Sequence, residues 1–251
     1  MLALISPAKR LDEAPLARPI PLTQPALLED ATALAAVCAG LTPPELEELM
    51  GVSEKIAQLN FERFQAFSPP LHAGNAKPAV LTFAGDTYAG LQAPGWDAAD
   101  FGFAQDHLGI LSGLYGLLRP LDLIQPYRLE MGTRLRTARG KDLYAWWGAR
   151  VTALVNERTA GHADRRVINL ASQEYIKVVD PAALAGGGVS VVFKEASGKV
   201  VGLFAKRARG AMARYLVRNR LERAEQLQAF DEDGYAFRPE RSSEVEWVYS
   251  R

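Results

Sequence analysis

The chain has 251 residues, 48% of them hydrophobic and 23% charged, and its 29 lysines and arginines balance its 29 aspartates and glutamates. These proportions are typical of a globular protein with a sizeable core and exclude an intrinsically disordered chain. The single cysteine excludes an internal disulfide framework and a cysteine-rich zinc site. Because the net charge is zero, such a chain can bind nucleic acid only by concentrating its basic residues on one surface.

The N-terminal part of the chain predicts one strand, followed by helices and further short apolar segments. Residues 1–5 form an apolar run that predicts a strand, and they lack the basic and longer apolar regions of a signal peptide. Residues 26–39 predict a helix, 79–83 a buried strand, and 108–112 a second short apolar run. No apolar run is long enough to span a bilayer, and we expect a cytoplasmic protein without a membrane partner.

Residues 42–66 predict two helices joined by a tight loop. Thr42 begins a capping box at the start of the first helix, Gly51 stops that helix, and Ser53 can cap the second one. The segment resembles the helix-hairpin-helix motif of DNA-binding proteins. It departs from that motif where Met50 replaces the usual proline and Ser53 the second glycine.

The loop of such a hairpin suggests a phosphate contact. In the motif, the loop and the second helix present backbone N–H groups to a DNA phosphate, aided by the helix dipole. Here those groups belong to Gly51, Val52 and Ser53, and Lys55 in the first turn could add a charge-assisted hydrogen bond. The alternative is an ordinary helical hairpin, which is a common structural unit.

The C-terminal part of the chain predicts a mixture of strands and helices. The predicted elements are a helix over 142–158, a strand over 167–170, a short helix opening at 172, a hairpin of 189–193 with 199–205, a helix over 208–227, and strands near 235–237 and 245–249. Helices and strands do not alternate in the regular order of a doubly wound sheet. We therefore expect an α+β fold, with a single mixed domain over residues 1–251.

A basic stretch covers residues 206–220, which contain no acidic side chain. Apolar residues follow the spacing of a buried helix face there, whereas Arg207, Arg214 and Arg218 recur at i, i+7 and i+11 on a different face. A local concentration of positive charge is expected of a phosphate-binding surface. The alternative is a solvated helix whose arginines pair with acids elsewhere, such as Glu222 or Glu225.

Residues 111–132 alternate small, aromatic and charged side chains in a way that a plain core segment does not require. The segment could line a cleft in which Arg119 and Arg128 bind an anion and Tyr115 and Tyr127 offer stacking surfaces. It could equally be a buried irregular segment whose polar groups bond the backbone.

Several signatures of enzymes and cofactor sites are absent from the sequence. The glycines at 85–90 are not followed by the Lys-Ser or Lys-Thr pair of a phosphate loop, and no Gly-x-Ser-x-Gly pattern surrounds Ser112. His72, His107 and His162 are far apart in the chain, and none is at a helical ligand spacing from another. We expect no cofactor, no dedicated zinc or haem site and no catalytic residue. A carboxylate-rich metal site stays open.

Several segments occur together in one order that covers essentially the whole chain, namely 6–12, 83–91, 111–132, 169–175, 205–210 and 247–251. This ordered set resembles the YaaA family of bacterial peroxide-stress-resistance proteins, and the predicted hairpin lies where that family carries its helix-hairpin-helix. The resemblance implies an α+β domain of unusual architecture with a basic cleft, and binding to double-stranded or branched DNA. It also implies protection of DNA during hydrogen peroxide stress, associated with low intracellular free iron. The leading hypothesis is therefore a DNA-binding protective protein without catalytic turnover.

The resemblance also suggests which residues form the site. Phosphate contacts are expected from the hairpin loop, from Lys55, and from the basic side chains Lys9, Lys206, Arg207, Arg209, Arg214 and Arg218. The cleft candidates are Asp12, Asp86, Ser112, Tyr115, Arg119 and Arg128.

The two aspartates keep a second hypothesis open, because carboxylates repel phosphate unless a cation lies between them. In that hypothesis the protein is an enzyme acting on a nucleotide or nucleic-acid ligand, with Lys9, Asp86 and Lys206 around a small phosphate-bearing molecule. The oligomeric state is open in both.

Overall fold

The computed structural model describes residues 1–251 and is built around a sheet of short strands. The strands are β1 (Leu2–Ile5), β2 (Arg10–Leu11), β3 (Lys77–Pro78), β4 (Phe83–Ala84), β5 (Leu108–Ser112), β6 (Gly116–Leu118), β7 (Leu123–Ile124), β8 (Val167–Asn169), β9 (Gly188–Lys194), β10 (Ala236–Phe237) and β11 (Glu246–Ser250). Seven of them form one sheet in the order β10-β11-β9-β8-β1-β5-β6, and β2 with β4 and β3 with β7 form two small pairs.

The sheet is mostly parallel. Strand β1 lies in the interior of the sheet and pairs in parallel with β5 on one side and β8 on the other, and β8, β9 and β11 continue in parallel. The two edge pairs, β5 with β6 and β10 with β11, are antiparallel. Every residue of β1 is buried, which explains its uninterrupted apolar sequence.

Helices cover the sheet and form the outer parts of the molecule. They are α1 (Leu28–Ala39), α2 (Pro43–Met50), α3 (Glu54–Gln65), α4 (Ala79–Thr82), α5 (Asp86–Leu91), α6 (Ala98–His107), α7 (Leu143–Trp147), α8 (Arg150–Thr159), α9 (Gln173–Ile176) and α10 (Gly202–Arg218), with short 3-10 turns at Ala93–Gly95, Pro181–Ala183, Ala224–Ala229, Glu232–Gly234 and Pro239–Arg241. None of these helices combines the length and the apolar composition that crossing a membrane requires.

Helices α5 and α10 cross at two glycines. A Cβ added at Gly210 would overlap the carbonyl oxygen of Thr87, and one added at Gly90 would overlap the carbonyl oxygen of Arg207. The two backbones therefore approach each other more closely than any side chain would permit. This contact fixes the start of α5 beside the basic part of α10.

The predicted helical pair at 42–66 is present as α2 and α3. The backbone N–H of Thr42 donates to Glu45 Oε2 at 2.8 Å, and its hydroxyl donates to the same oxygen at 2.7 Å. Gly51 ends α2 with a φ of 58°, the left-handed conformation that glycine adopts without strain.

Two predicted strands are wrong. Residues 79–83 begin as α4, because Pro78 precedes its first turn and the hydroxyl of Thr82 donates to the Pro78 carbonyl at 2.8 Å. Residues 199–205 do not pair with β9. Residues 199–201 precede α10 and residues 202–205 form its first turn, in which Leu203 is exposed.

Two predicted helices have different bounds. The helix expected over 142–158 is divided into α7 and α8 at Gly148, whose φ is 47°. The helix expected over 208–227 starts earlier, at Gly202, and ends at Arg218, and the chain then turns at Arg220 with a φ of 50°.

The expectation of a mixed helix and strand domain is confirmed in part. Helices and strands share one buried hydrophobic cluster, which extends from Met1 to Tyr249. The parallel sheet was not expected, because the long and irregular segments between its short strands conceal the alternation of strands and helices in the sequence.

Candidate functional site

A cleft of about 490 Å³ opens at the carboxyl ends of β1 and β8. From β1 the chain proceeds to β5 on one side of β1, and it later returns to β8 on the other side. Neighbouring parallel strands whose connections leave in opposite directions form a crevice at their carboxyl ends, which is the usual ligand site of open sheets with helices. Position alone therefore makes this cleft the candidate site.

The two strand ends are held together by a pair of serines. Ser6 follows β1 and Ser172 comes shortly after β8, and both line the cleft. The Ser172 backbone N–H donates to Ser6 Oγ at 2.9 Å, and the two hydroxyl oxygens are 3.4 Å apart. The backbone on this side of the cleft is thus fixed before any ligand binds.

Two arginines in the cleft have no acidic partner. The Nε atoms of Arg128 and Arg209 are buried without a hydrogen-bond acceptor, and neither side chain forms an ion pair. Burial lowers the pKa of Arg209 from its ordinary value. An uncompensated cation in a partly dehydrated place is costly for the folded protein and is relieved when an anion binds.

Further basic residues, Lys9, Arg10 and Lys206, also line the cleft. Lys9 Nζ pairs with Glu130 at 2.7 Å, but 65% of the lysine side chain is exposed. Ion pairs exposed to this extent contribute little to stability. A phosphate can therefore compete with Glu130 for Lys9.

The cleft carries negative charge as well. Asp86, at the start of α5, lines it without an ion pair or a side-chain hydrogen bond. Glu174 also lines it, and one of its oxygens accepts the backbone N–H of Gly132 at 2.9 Å. The cleft is therefore of mixed charge, and it can accept hydrogen bonds from a ligand as well as donate them.

Three tyrosines form part of the cleft wall, namely Tyr88, Tyr127 and Tyr175. Burial raises the pKa of each phenol above its ordinary value, so all three stay neutral and protonated at physiological pH. The Tyr88 hydroxyl donates to the Ser6 carbonyl at 3.1 Å. The Tyr127 hydroxyl is 2.6 Å from Ser112 Oγ. These two hydroxyls bond within the protein, so Tyr88 and Tyr127 contribute a rigid wall to the cleft.

The structure brings together five of the residues predicted from the sequence, which are Lys9, Asp86, Arg128, Lys206 and Arg209. They come from the segments after β1 and β7 and from the facing helices α5 and α10. These segments are distant in sequence and meet only through the sheet and the glycine crossing.

Four other cleft candidates lie outside the cleft. Ser112 and Tyr115 are fully buried, and Ser112 accepts the Tyr115 backbone N–H at 2.9 Å while it supports Tyr127 from beneath. Arg119 pairs with the buried Asp122 at 3.1 Å. Asp12 pairs with Lys77 at 3.4 Å, away from the cleft.

The remaining arginines of α10 contact acidic residues elsewhere. Arg214 donates to the Gly90 carbonyl and pairs with Glu232, and Arg218 lies 3.4 Å from Asp100 and donates to the Gly95 carbonyl. The Arg207 side chain is 61% exposed, and its Nε is 3.9 Å from Asp233 Oδ2, which is a long distance for an ion pair. The alternative of arginines paired with acids therefore describes Arg214 and Arg218, although with different acids from the ones expected.

The hairpin loop does not line the cleft. Gly51, Ser53 and Lys55 are exposed, and Val52 is half-buried and donates its backbone N–H to the Glu47 carbonyl at 3.3 Å. The adjoining helices carry the acidic residues Glu45, Glu47, Glu48 and Glu54. A phosphate contact at this loop stays a prediction.

Sequence reasoning did not select some of the residues that line the cleft, namely Ser6, Arg10, Glu130, Ser172 and Glu174. Two of them, Ser6 and Ser172, come within a few residues of the carboxyl ends of β1 and β8. The rule that ligands bind at such ends could have identified them once the two strands were known to be parallel neighbours.

The chain's other reactive side chains are not arranged as a metal or thiol site. No group of three His, Cys, Asp or Glu side chains comes close enough together to hold a metal ion. Burial raises the pKa of the Cys38 thiol to about 12, so its reactive thiolate is scarce at neutral pH. His107 and His162 do meet, as stacked rings 4.6 Å apart, although they are distant in the sequence.

Comparison with known proteins gives one consistent result. The model of the family described as peroxide stress protein YaaA matches residues 1–241. The chain is 50% identical over 254 residues to a UPF0246 protein of Caulobacter vibrioides, 51% over 256 residues to one of Magnetococcus marinus, and 48% over 255 residues to one of Saccharophagus degradans. Each alignment covers 100% of this chain and 99% of the relative. The resemblance inferred from the sequence is confirmed.

Proposed function

Because the chain belongs to the peroxide stress protein YaaA family, with a role in peroxide stress, we propose that it protects DNA by binding it. The proposed ligand is duplex or branched DNA, bound through its phosphates and without catalytic turnover. DNA is a target of peroxide damage, and a protein bound to its backbone can limit access of oxidants to the strand.

The observation that carries this proposal is the pair of uncompensated arginines in the cleft. Arg128 and Arg209 have buried Nε atoms and no acidic partner, and a phosphate would supply the missing charge and acceptors. Lys9 and Lys206 line the same cleft, and the exposed Arg207 follows Lys206 in the sequence. These three side chains extend the positive charge toward solvent.

The hairpin is proposed as a second phosphate contact. Its loop holds Gly51 and Ser53 exposed, and Lys55 projects from the first turn of α3. Contacts of this kind fix a protein's position on the duplex without reading its sequence.

The first test is fluorescence anisotropy with labelled duplex and four-way-junction DNA across a salt series. If several phosphates are neutralised, affinity should fall by ~10³-fold or more between about 50 mM and about 200 mM salt. Combining Lys206→Ala with Arg209→Met should weaken binding and make the slope shallower. Arg165→Ala is the control, because this exposed residue comes just before β8 and so lies at the opposite end of that strand. Absence of binding at low salt would refute the proposal.

A second candidate function is an enzyme that acts on a nucleotide or nucleic-acid ligand. The observation in its favour is Asp86, a carboxylate without an ion pair in a cleft of small-molecule size. Under this hypothesis Asp86→Asn should abolish turnover of the ligand while DNA binding persists. Turnover that is unchanged in this variant would exclude the role.

The association with low free iron is proposed to be indirect, through the DNA-bound state. The test is desalting the protein after incubation with Fe(II) under anaerobic conditions. Loss of all iron in the column agrees with an indirect effect, whereas stoichiometric retention would show direct sequestration.

A further inference from the structure

We infer that the cleft receives a single unpaired nucleotide of a DNA strand and does not clasp the side of a duplex. The inference rests on the proposed function and names the part of the DNA that this site recognises.

The size of the cleft supports this inference. Its volume of about 490 Å³ is within the range of about 300–1,000 Å³ that is usual for small-molecule sites. One nucleotide is a ligand of that class. A duplex can touch only the rim of such a cleft, because its bases are stacked inside and its backbone is continuous.

The mixture of charges points the same way. A duplex carries one negative charge per about 1.7 Å of its axis, so a groove that follows it needs positive charge throughout. Asp86 and Glu174 instead line this cleft together with Arg128 and Arg209. A continuous row of phosphates would be repelled by the carboxylates.

A single nucleotide matches both kinds of group. Its phosphate supplies the anion that Arg128 and Arg209 lack. Its base carries N–H donors on the edge that base pairing occupies in a duplex. A carboxylate accepts hydrogen bonds from such donors. Asp86 has no partner within the protein and is the acceptor that a base would find available.

The walls of the cleft suit a base that has left the stack. They include Pro7, Leu129 and Leu170, together with edges of the neutral tyrosines. Pockets for extruded bases combine apolar walls with hydrogen bonds to the pairing edge. An unpaired nucleotide at a bulge or a branch enters at a lower cost than a paired one, since its pairing is already lost.

The test compares two labelled DNAs, a fully paired duplex and the same duplex with one extra unpaired 2-aminopurine. We expect tighter binding of the bulged DNA by about tenfold, the discrimination of one good base contact. We also expect the fluorescence of 2-aminopurine to change on saturation. A free deoxynucleoside monophosphate in excess should reverse that change, which would locate the signal in a nucleotide site.

Variants separate this inference from general DNA binding. Asp86→Asn should remove the preference for the bulge while it leaves affinity for the paired duplex equal or higher, because one repulsive charge is gone. Arg209→Met should weaken binding of the bulged DNA more than that of the paired duplex, which reaches only the rim of the cleft, and Arg165→Ala should alter neither. Thermal melting of each variant checks that it is folded.

The outcomes are distinct for the two proposals. Equal affinity for both DNAs with unchanged 2-aminopurine fluorescence would overturn the inference and leave the proposed DNA binding intact. No binding of either DNA at low salt would overturn both. Binding of the free monophosphate alone would assign the cleft to free nucleotides, against the strand-borne nucleotide inferred here.

Discussion

Arg209 carries a positive charge in the cleft wall at a place where burial is unfavourable to the folded protein. Its Nε is buried without an acceptor, and burial lowers its pKa because no carboxylate compensates the charge. Arg214 on the same helix differs, because it pairs with Glu232. The two arginines therefore differ in whether a carboxylate of the protein compensates the buried charge.

Arg209→Met should therefore raise the melting temperature or leave it unchanged, while it weakens DNA binding. Methionine keeps the contacts of the aliphatic stem and removes the unpaired charge, which can stabilise a protein by ~1 kcal/mol or more. Differential scanning calorimetry without ligand measures the effect. Arg214→Met is the matched comparison and should lower the melting temperature, since it leaves Glu232 unpaired. A lower melting temperature for Arg209→Met would show that the guanidinium has a structural function.

At the scale of elements, the crossing of α5 and α10 holds Asp86 beside Lys206 and Arg209. Gly210→Ala should lower the free energy of unfolding by about 2 kcal/mol or more, because the new Cβ overlaps the Thr87 carbonyl and the helices must separate. DNA affinity should fall with it, since the cationic side chains move away from the cleft. Urea denaturation and anisotropy measure the two effects.

Gly102→Ala in α6 provides the control for that substitution. A Cβ at Gly102 meets no atom within 4 Å, so alanine should increase stability by about 0.5–1 kcal/mol through reduced freedom of the unfolded chain. If the substitutions at Gly210 and Gly102 had the same effect, close packing of α5 and α10 would not be the cause.

The ends of α6 and α8 meet at a pair of histidines near the amino terminus. His107 ends α6, stacks on His162 at 4.6 Å, and has its Nδ1 2.9 Å from the Met1 carbonyl oxygen. Burial, followed by the nearby terminal amine and His107, lowers the pKa of His162 to about 4. Burial also lowers the pKa of His107, so both rings are neutral at physiological pH.

Stability should decrease between about pH 6.5 and pH 4 because burial of the His162 ring in this stack keeps it neutral in the folded protein. In that window the unfolded chain binds a proton at His162 that the folded chain does not, so the free energy of unfolding falls as pH is lowered. In His162→Phe, which keeps a stacking ring, the decrease should be smaller, as measured by urea midpoints at several pH values. Exposed His72→Gln should retain the wild-type profile, and an identical profile for His162→Phe would exclude the stack as its source.

At the scale of the whole molecule, the sequence predicts local features better than it predicts contacts between distant segments. The strand at residues 1–5 and the capping box of Thr42 with Glu45 are encoded by neighbours in the chain, and both are present. The parallel sheet depends on pairs such as Ala3 with Leu108 and Leu2 with Val167. No local pattern specifies a pairing across more than a hundred residues.

The candidate site likewise combines features that are visible in the sequence with features that depend on tertiary packing. The basic character of α10 and the motif around Asp86 were visible in the sequence, and five predicted residues do meet in one cleft. The acidic partners of Arg214 and Arg218, and the burial of Ser112 and Tyr115, follow from tertiary packing. The sequence patterns therefore identified the charged segments, whereas only the fold separates the arginines that lack a partner from those that have one.

Whether the hairpin and the cleft bind one DNA molecule can be measured from the salt dependence. The slope of log affinity against log salt is about −0.9 for each phosphate neutralised, so Lys206→Ala should make it shallower by about 1. If the exposed Lys55 contacts the same duplex, Lys55→Ala should do so as well, and the double variant should lose about 2. Arg165→Ala should leave the slope unchanged. An unchanged slope for Lys55→Ala would confine phosphate binding to the cleft. The physical reason would be that the carboxylates near the loop repel phosphate, namely those of Glu45, Glu47, Glu48 and Glu54.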